Sequence, residues 1–365
     1  MNKSKIIIFP LLRDVKTIPP TITILNYLAK KGFKIILYTY YTDVKFNHEN
    51  INVLKTSLTP YPKSFLKRIV AKTKFLISFY LFFLKKRSEI EAIWLGAWDI
   101  FAIDKIKNNI KLIYQFHELE PNKYKYCRKA DFVVIPEENR AWITYFEANL
   151  QKFPLILPNI PDYNEHTIKP DLEIEELRKN GKIITLYSGL IDIKKRNLKE
   201  LVKAFGFLPK EYILVILPSF LKIRNDLEIL KNYINELNLS ERILFLQSRT
   251  PPNHLNTMSS VDIGIGFYSP TSLNNVYAAP NRLYEFLCFG TPVILPNYPS
   301  FKCLSKEFPY AVNTAEPSNP KSIAKKIMDV KTNYKLAQKS MIEFNKKNGN
   351  YNKYAEKIII DIFES

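Results

Sequence analysis

KIIIFPLLRDVKTIPPTITILNYLAKKGFKIILYT, Lys5–Thr39, decides the architecture. Lys5–Phe9 is an apolar run of strand length. Thr21–Lys31 places Ile24, Leu25 and Leu28 on one face of a helix that stops at Gly32. Phe33–Thr39 is again β-rich. Strand, helix and strand in this order form a βαβ unit, whose crossover returns the chain to pair in parallel.

The same rhythm recurs outward from that unit. Further strands are expected at Ala92–Leu95, Leu112–Gln115 and Phe132–Ile135, then at Ile183–Tyr187, Tyr212–Ile216, Ile243–Leu246, Ile263–Gly266 and Pro292–Leu295. Helices are expected between them at Leu198–Phe207, Ile223–Leu237, Pro252–Ser259 and Asn281–Phe289, with a helical tail from Asn319. FPLILPNIPDYNEHTIKPD, Phe153–Asp171, breaks the rhythm, because prolines at this density exclude both helix and central strand. The expected organisation is α/β: two doubly wound, Rossmann-like domains facing across a cleft. Residues 1–165 are expected to form the N-terminal domain, with 350–365 able to pack back onto it, and 166–349 the C-terminal domain.

Glycine usage narrows the choice. Only 9 of 365 residues are glycine and none precedes Gly32, so neither a G-x-G-x-x-G turn nor a P-loop can follow the first strand. That argues against a conventional dinucleotide-dependent dehydrogenase and a P-loop kinase. Cys127, Cys288 and Cys303 are too widely spaced for a zinc module or a disulfide framework and fit a reducing compartment. Lys and Arg outnumber Asp and Glu by 54 to 35, a net +19 that favours an anionic partner: nucleic acid, an anionic membrane face or a phosphorylated small molecule.

SFLKRIVAKTKFLISFYLFFLKKR, Ser64–Arg87, stands apart. A helical stripe of Phe65, Leu66, Ile69, Val70, Leu76, Ile77, Tyr80, Leu81 and Leu84 would satisfy an ordinary core contact. Phe75, Phe79, Phe82 and Phe83 then fall on the outer face among lysines and arginines, which is the composition of an interfacial membrane helix. The alternative is a helix covered by protein on two sides.

APNRLYEFLCFGTPVILPN, Ala279–Asn297, resembles the bacterial family-four glycosyltransferases, which have the GT-B fold: a Pro-Asn-basic turn, a helix bearing an acidic residue, then Gly-x-Pro-Val. The physical logic is that Pro280 and Asn281 start a helix whose free N–H groups can face a phosphate, with Arg282 beside them and Glu285 one turn on. The resemblance implies that Glu285 binds the ribose hydroxyls and that the turn with Asn281 and Arg282 holds the diphosphate. YSGLIDIKKRNLKELVKAF, Tyr187–Phe205, is similar to the family's first C-terminal-domain βα turn, with Gly189 after the strand. Leu190 stands where the family usually has Arg, so Lys195 or Arg196 is expected to supply the charge. Arg196 is preferred for its bidentate geometry. In LNLSERILFLQSRTPPNHLNTMSSVDIGIGFY, Leu237–Tyr268, the loop Gln247–Pro251 would carry the base, with Arg249 a candidate for stacking on it.

Nearer the N-terminus, WLGAWDIFAIDKIKNNIKLIYQFHELEP resembles the family's aspartate helix followed by a strand ending in His-Glu. His117 and Glu118 sit where open α/β sheets place ligand-binding groups. The next stretch, KADFVVIPEENRAWI, fits the family's following strand and helix. Arg13, in the loop after the first strand, is placed near donor phosphates or acceptor, or else is a surface arginine. Many family members carry two glutamates separated by seven residues, but Tyr277, eight positions before Glu285, occupies the first of those places. The stretch SPTSLNNVYAAP is therefore expected to handle the sugar through Asn274, Asn275 and backbone amides.

There is no Asp-x-Asp in the chain, so the expected chemistry is metal-free, with cationic side chains stabilising the leaving nucleotide. The resemblance implies a retaining transferase without a cofactor, using UDP- or GDP-sugar as substrate. The departing phosphate would help to deprotonate the acceptor, and interdomain closure would bring His117 to the donor sugar. The acceptor is expected to be a lipid-linked envelope glycan: capsule, O-antigen or lipooligosaccharide. The enzyme would sit peripherally at the anionic cytoplasmic face of the cell membrane. Rival readings are a GT-B epimerase or phosphorylase, a sugar-nucleotide-binding homologue without turnover, and a nucleic-acid-binding protein. The last is disfavoured because no basic aromatic platform is evident.

Overall fold

Every strand pairing among the described residues is parallel. The computed structural model describes residues 6–96, 109–161, 168–219, 224–249 and 253–364. The chain divides into two units: residues 1–161 with 351–365, and residues 162–350.

The first unit holds β1 (Ile6–Leu11), α1 (Pro19–Lys30), β2 (Lys34–Thr39), β3 (Ile51–Lys55), α2 (Phe65–Lys86), β4 (Ile90–Leu95), β5 (Lys111–Gln115), α3 (Tyr124–Cys127), β6 (Phe132–Ile135), α4 (Glu138–Glu147) and β7 (Leu155–Ile156). Its seven strands run in the order β3-β2-β1-β4-β5-β6-β7. β3 and β7 lie at the two edges. Neither shows in the hydrophobic pattern: β3 alternates weakly, and β7 is two residues inside the proline-dense stretch, where an edge position tolerates the missing donors.

The second unit holds α5 (Leu172–Lys179), β8 (Ile183–Gly189), α6 (Ile193–Arg196), α7 (Leu198–Phe205), β9 (Tyr212–Pro218), α8 (Arg224–Glu236), β10 (Ile243–Phe245), α9 (His254–Ser260), β11 (Ile263–Ile265), α10 (Leu273–Val276), α11 (Asn281–Cys288), β12 (Val293–Pro296), α12 (Pro299–Glu307), β13 (Val312–Ala315), α13 (Pro320–Thr332) and α14 (Tyr334–Asn348). The strand order is β10-β9-β8-β11-β12-β13. Alternate strand residues enter different cores: Tyr187, Leu214 and Ile216 one, Leu186, Ile213 and Val215 the other. Burial on both faces explains why these strands read as continuous apolar runs.

The tail is helical with breaks at Asn333 and Gly349. Its last helix, α15 (Tyr351–Ile359), belongs to the first unit. Tyr351 packs edge-on to Tyr27 at 5.7 Å, and Glu356 pairs with Lys31 at 2.8 Å. Lys111 Nζ donates to the Ile362 carbonyl at 2.6 Å.

One expectation is overturned: α2 forms over its expected span, but its faces are exchanged. Phe75, Phe79 and Phe83, taken for a membrane-facing set, are buried, and Phe82 is half-buried. The Tyr38 ring lies 5.5, 5.3 and 5.1 Å from those of Phe75, Phe79 and Phe82, and the Tyr38 and Ser78 hydroxyls are 2.6 Å apart. The reason is the spacing of four from Ala71 through Phe75 and Phe79 to Phe83, which lines up three large rings along one row of the helix. Burying an aliphatic side chain is worth about as much as burying a ring, about 1.5–3 kcal/mol each, so the choice rests on how the three rings fit around Tyr38. The outer face is therefore the aliphatic one. The proposed aspartate helix after Gly96, and Thr250 and Pro251 of the proposed base loop, lie outside the described residues.

Candidate functional site

In the second unit, β8 ends at Gly189 with φ +144°, and a Cβ there would overlap the Arg282 guanidinium. Glycine is required because α11 sends Arg282 back across the strand end. Its guanidinium lies 5.9 Å from the Tyr187 ring centroid, and Nη1 is buried without a hydrogen-bond partner. Burial opposes its charge, yet Tyr268, Tyr187 and Glu285 leave its pKa raised. The cation is therefore retained.

Arg196 reaches the same place from α6. Asp192 caps that turn by accepting from Lys195 N at 2.9 Å, and Asp226 accepts from Ile193 N at 3.1 Å. Asn197, with φ +50°, then redirects the chain into α7. The Arg196 guanidinium stacks 4.4 Å over the Tyr268 ring, with Nε and Nη1 buried and unpartnered. Both arginines act on Tyr187, whose buried hydroxyl is pushed up to about 12 by desolvation despite them. It donates to the Leu190 carbonyl at 2.7 Å, so it holds the strand-end turn.

Glu285 lies one turn into α11 and is 8% exposed. Its Oε1 is 3.3 Å from His254 Nε2, and His254 Nδ1 is buried without a partner. No side chain caps α11 at Pro280. Phe286 packs so close to β11 that a Cβ on Gly264 would sit 2.5 Å from its ring. That contact sets the depth of the helix and hence the height of Arg282 and Glu285.

Gly189, Arg196, Arg282 and Glu285 are thus brought together, with Asn281 opening their helix. Lys195 does not join them; its side chain is exposed, while its backbone carbonyl accepts from Ser269 N at 2.9 Å. Arg249, expected to stack on a base, is engaged elsewhere. It pairs with Asp171 and, at 3.4 Å, with Glu173. Asp171 is buried and also accepts from Thr257 Oγ1 at 2.6 Å, so it needs that cation. Asn275 Nδ2 donates to the Ser269 carbonyl at 2.9 Å and to Thr271 Oγ1 at 3.1 Å, which braces the loop before α10. Asn274 and Tyr277 are half-buried beside it.

In the first unit, His117 is half-buried just past β5 and its Nε2 is buried without a partner. Desolvation, aided by Arg140 and opposed by a backbone bond at Gly96, pulls its pKa down to about 4. Arg140 Nη1 donates to the His117 carbonyl at 2.9 Å, fixing this turn. His117 is therefore a neutral imidazole at physiological pH. Thr21 Oγ1, also buried and unpartnered, faces the same Gly96. Arg13 and Glu118 are exposed.

Sequence reasoning missed Tyr187, Tyr268, His254 and Thr21. The two tyrosines sit at strand ends, where a signal existed; His254 and Thr21 gain meaning only from packing. Among the described residues no cluster of three His, Cys, Asp or Glu side chains is arranged to hold a metal ion.

No family model and no curated protein matches the sequence. Solved structures do. Sucrose-phosphate synthase from Thermosynechococcus elongatus is 16% identical, with 97% of each chain covered and a TM-score of 0.73. That likeness over nearly the whole chain, together with one seven-stranded and one six-stranded parallel sheet, settles the architecture. The fold is GT-B. Anabaena HepE, solved in complex with UDP-glucose, is 12% identical over 98% of this GT-B chain and 100% of its own, at a TM-score of 0.74. WaaG, a glycosyltransferase involved in lipopolysaccharide biosynthesis, is 12% identical over 98% and 100%, at 0.66.

Proposed function

We propose that the chain is a glycosyltransferase that moves a sugar from a nucleoside-diphosphate sugar to a hydroxyl of a lipid-linked, cell-envelope glycan. The observation that carries this reading is the pair Arg196 and Arg282, whose guanidiniums carry buried nitrogens without a hydrogen-bond partner (Nε and Nη1 of Arg196, Nη1 of Arg282), with the buried Glu285 one helical turn from Arg282. Half-buried cations with unsatisfied N–H groups call for an anionic ligand, and a diphosphate offers several charged oxygens to two guanidiniums. Glu285 then accepts the ribose hydroxyls, with His254 holding its carboxylate. HepE, similar in fold, was solved with UDP-glucose, which favours UDP, with GDP as the other candidate. The reading is that of a family-four enzyme, on the strength of the Ala279–Asn297 motif.

The proposed reaction retains configuration. The bond from the anomeric carbon to the β-phosphate oxygen breaks, and the acceptor oxygen bonds that carbon on the same face. The acceptor proton passes to the leaving phosphate. Arg196 and Arg282 hold the charge that develops there, the role a divalent cation plays in other transferases. His117, neutral, is assigned a hydrogen bond to the transferred sugar, not a proton transfer. WaaG supports an envelope acceptor by likeness of fold.

The test is a thermal-shift screen with UDP, GDP and their sugars, on the chain and on Glu285→Ala. Stabilisation by one nucleotide, lost in the variant, is expected. Equal shifts for both proteins would remove Glu285 from the site. Turnover of labelled donor with and without acceptor separates transfer from hydrolysis and from binding alone.

A further inference from the structure

The exchanged faces of α2 leave an apolar surface that the fold does not use. Phe65, Leu66, Ile69 and Val70 project from its first two turns and Ile77, Leu81 and Leu84 continue the same stripe, each between 49% and 74% exposed. A surface helix ordinarily turns its polar side outward. Here the inner face is aromatic and the outer one, Phe65 apart, aliphatic, over 22 residues and about 33 Å of helix. Seven large apolar side chains exposed on one side of a single helix are more than the scattered surface hydrophobics that need no explanation.

The charges around it choose the occupant. No acidic residue occurs between Asn50 and Glu89, whereas Lys67, Arg68, Lys72, Lys74, Lys85, Lys86 and Arg87 lie on or beside the helix. At 100° per residue, Lys67, Lys74 and Lys85 fall within about 20° of one another along the edge marked by Val70 and Leu81. A second copy of this face would bring two such sets of cations together without a counter-charge. A lipid surface carrying phosphate headgroups receives both features: acyl chains take the aliphatic stripe and headgroups take the lysines. Among the described residues no helix is long and apolar enough to cross a membrane, so α2 would lie in the plane of the interface.

Building on the lipid-linked acceptor reading, we propose that the outer face of α2 docks the protein on an anionic lipid surface through Leu66, Ile69, Ile77 and Leu81, with Lys67, Lys74 and Lys85 at the headgroups. This replaces the phenylalanine row, which the core holds.

The full chain is sedimented with vesicles of phosphatidylcholine alone and of phosphatidylcholine with phosphatidylglycerol. Partitioning onto the anionic vesicles is expected to exceed that onto the neutral ones by at least about tenfold, and to fall as salt rises. The triple variant Leu66→Gln/Ile77→Gln/Leu81→Gln and the triple variant Lys67→Glu/Lys74→Glu/Lys85→Glu should each lose at least about tenfold in partitioning. Their melting temperatures and UDP affinity should match the parent, because none of these side chains enters a core. Parent-like partitioning of both variants, or equal binding to neutral vesicles, overturns the proposal. So does a concentration-dependent dimer abolished by the leucine and isoleucine changes, which would assign the face to a second copy. UDP binding is read in the same samples, so loss of the donor reading shows there and leaves the vesicle result standing.

Discussion

Arg282→Met should separate donor binding from stability, with opposite signs. In the protein the guanidinium is buried over Tyr187, Nη1 has no hydrogen-bond partner, and the strand end is cut back to glycine to admit it. With a diphosphate bound, two charge-assisted hydrogen bonds at about 1.5 kcal/mol each are at stake, about 3 kcal/mol, or roughly 150-fold in Kd. Without nucleotide the same cation is a burden, desolvated and short of partners. Methionine, of similar length and without charge, should leave apo stability unchanged or raise it by about 1 kcal/mol, a few degrees in melting temperature. Calorimetric titration with UDP and GDP gives the first quantity and melting curves without nucleotide the second. Affinity within about threefold of the parent would refute the phosphate role. An apo melting temperature lowered by several degrees would show that the guanidinium is a structural element.

Two further changes probe neighbouring residues. Arg249→Ala deprives the buried Asp171 carboxylate of its cation and should destabilise the protein by about 2–4 kcal/mol in urea titration, with nucleotide affinity unchanged. Weaker nucleotide binding in a variant of undiminished stability would restore Arg249 to the base. His117→Gln should keep donor affinity while slowing transfer by at least about tenfold. Because the folded pKa of His117 is depressed to about 4, the unfolded chain takes up the proton first as pH falls from 6.5. Stability is therefore lost between pH 6.5 and 4, by up to roughly 3 kcal/mol, and the variant should lack that slope. An activity step near pH 6.5 that vanishes in His117→Gln would show that the imidazole titrates in the native enzyme.

The βαβ alternation, the order of most elements and the Ala279–Asn297 motif were legible from residue pattern alone. Strands buried on both faces must be continuous apolar runs, and a helix that starts at Pro-Asn and stops at Gly announces both its ends. Local chemistry also placed Glu285 one turn from the helix start, because i,i+4 spacing is a property of the chain and not of its packing. The short edge strands β3, β7 and β13 escaped notice, since strands of two to five residues at an edge carry too little period to read.

Tertiary structure alone decided which face of α2 is covered. Its two faces are similarly apolar, so hydrophobicity could not rank them, and the choice fell to ring shape against Tyr38. It also decided which cations are spoken for. Arg249 and Arg282 are alike as sequence, but one lies against a buried carboxylate and the other against two tyrosines and a glycine. What the sequence by itself determined, then, is the GT-B topology and the residues that open α11 and place Glu285 one turn into it. Which arginines stand buried and ready for an anion depended on neighbours far apart in the chain, because pairing and burial are long-range quantities that no local pattern encodes.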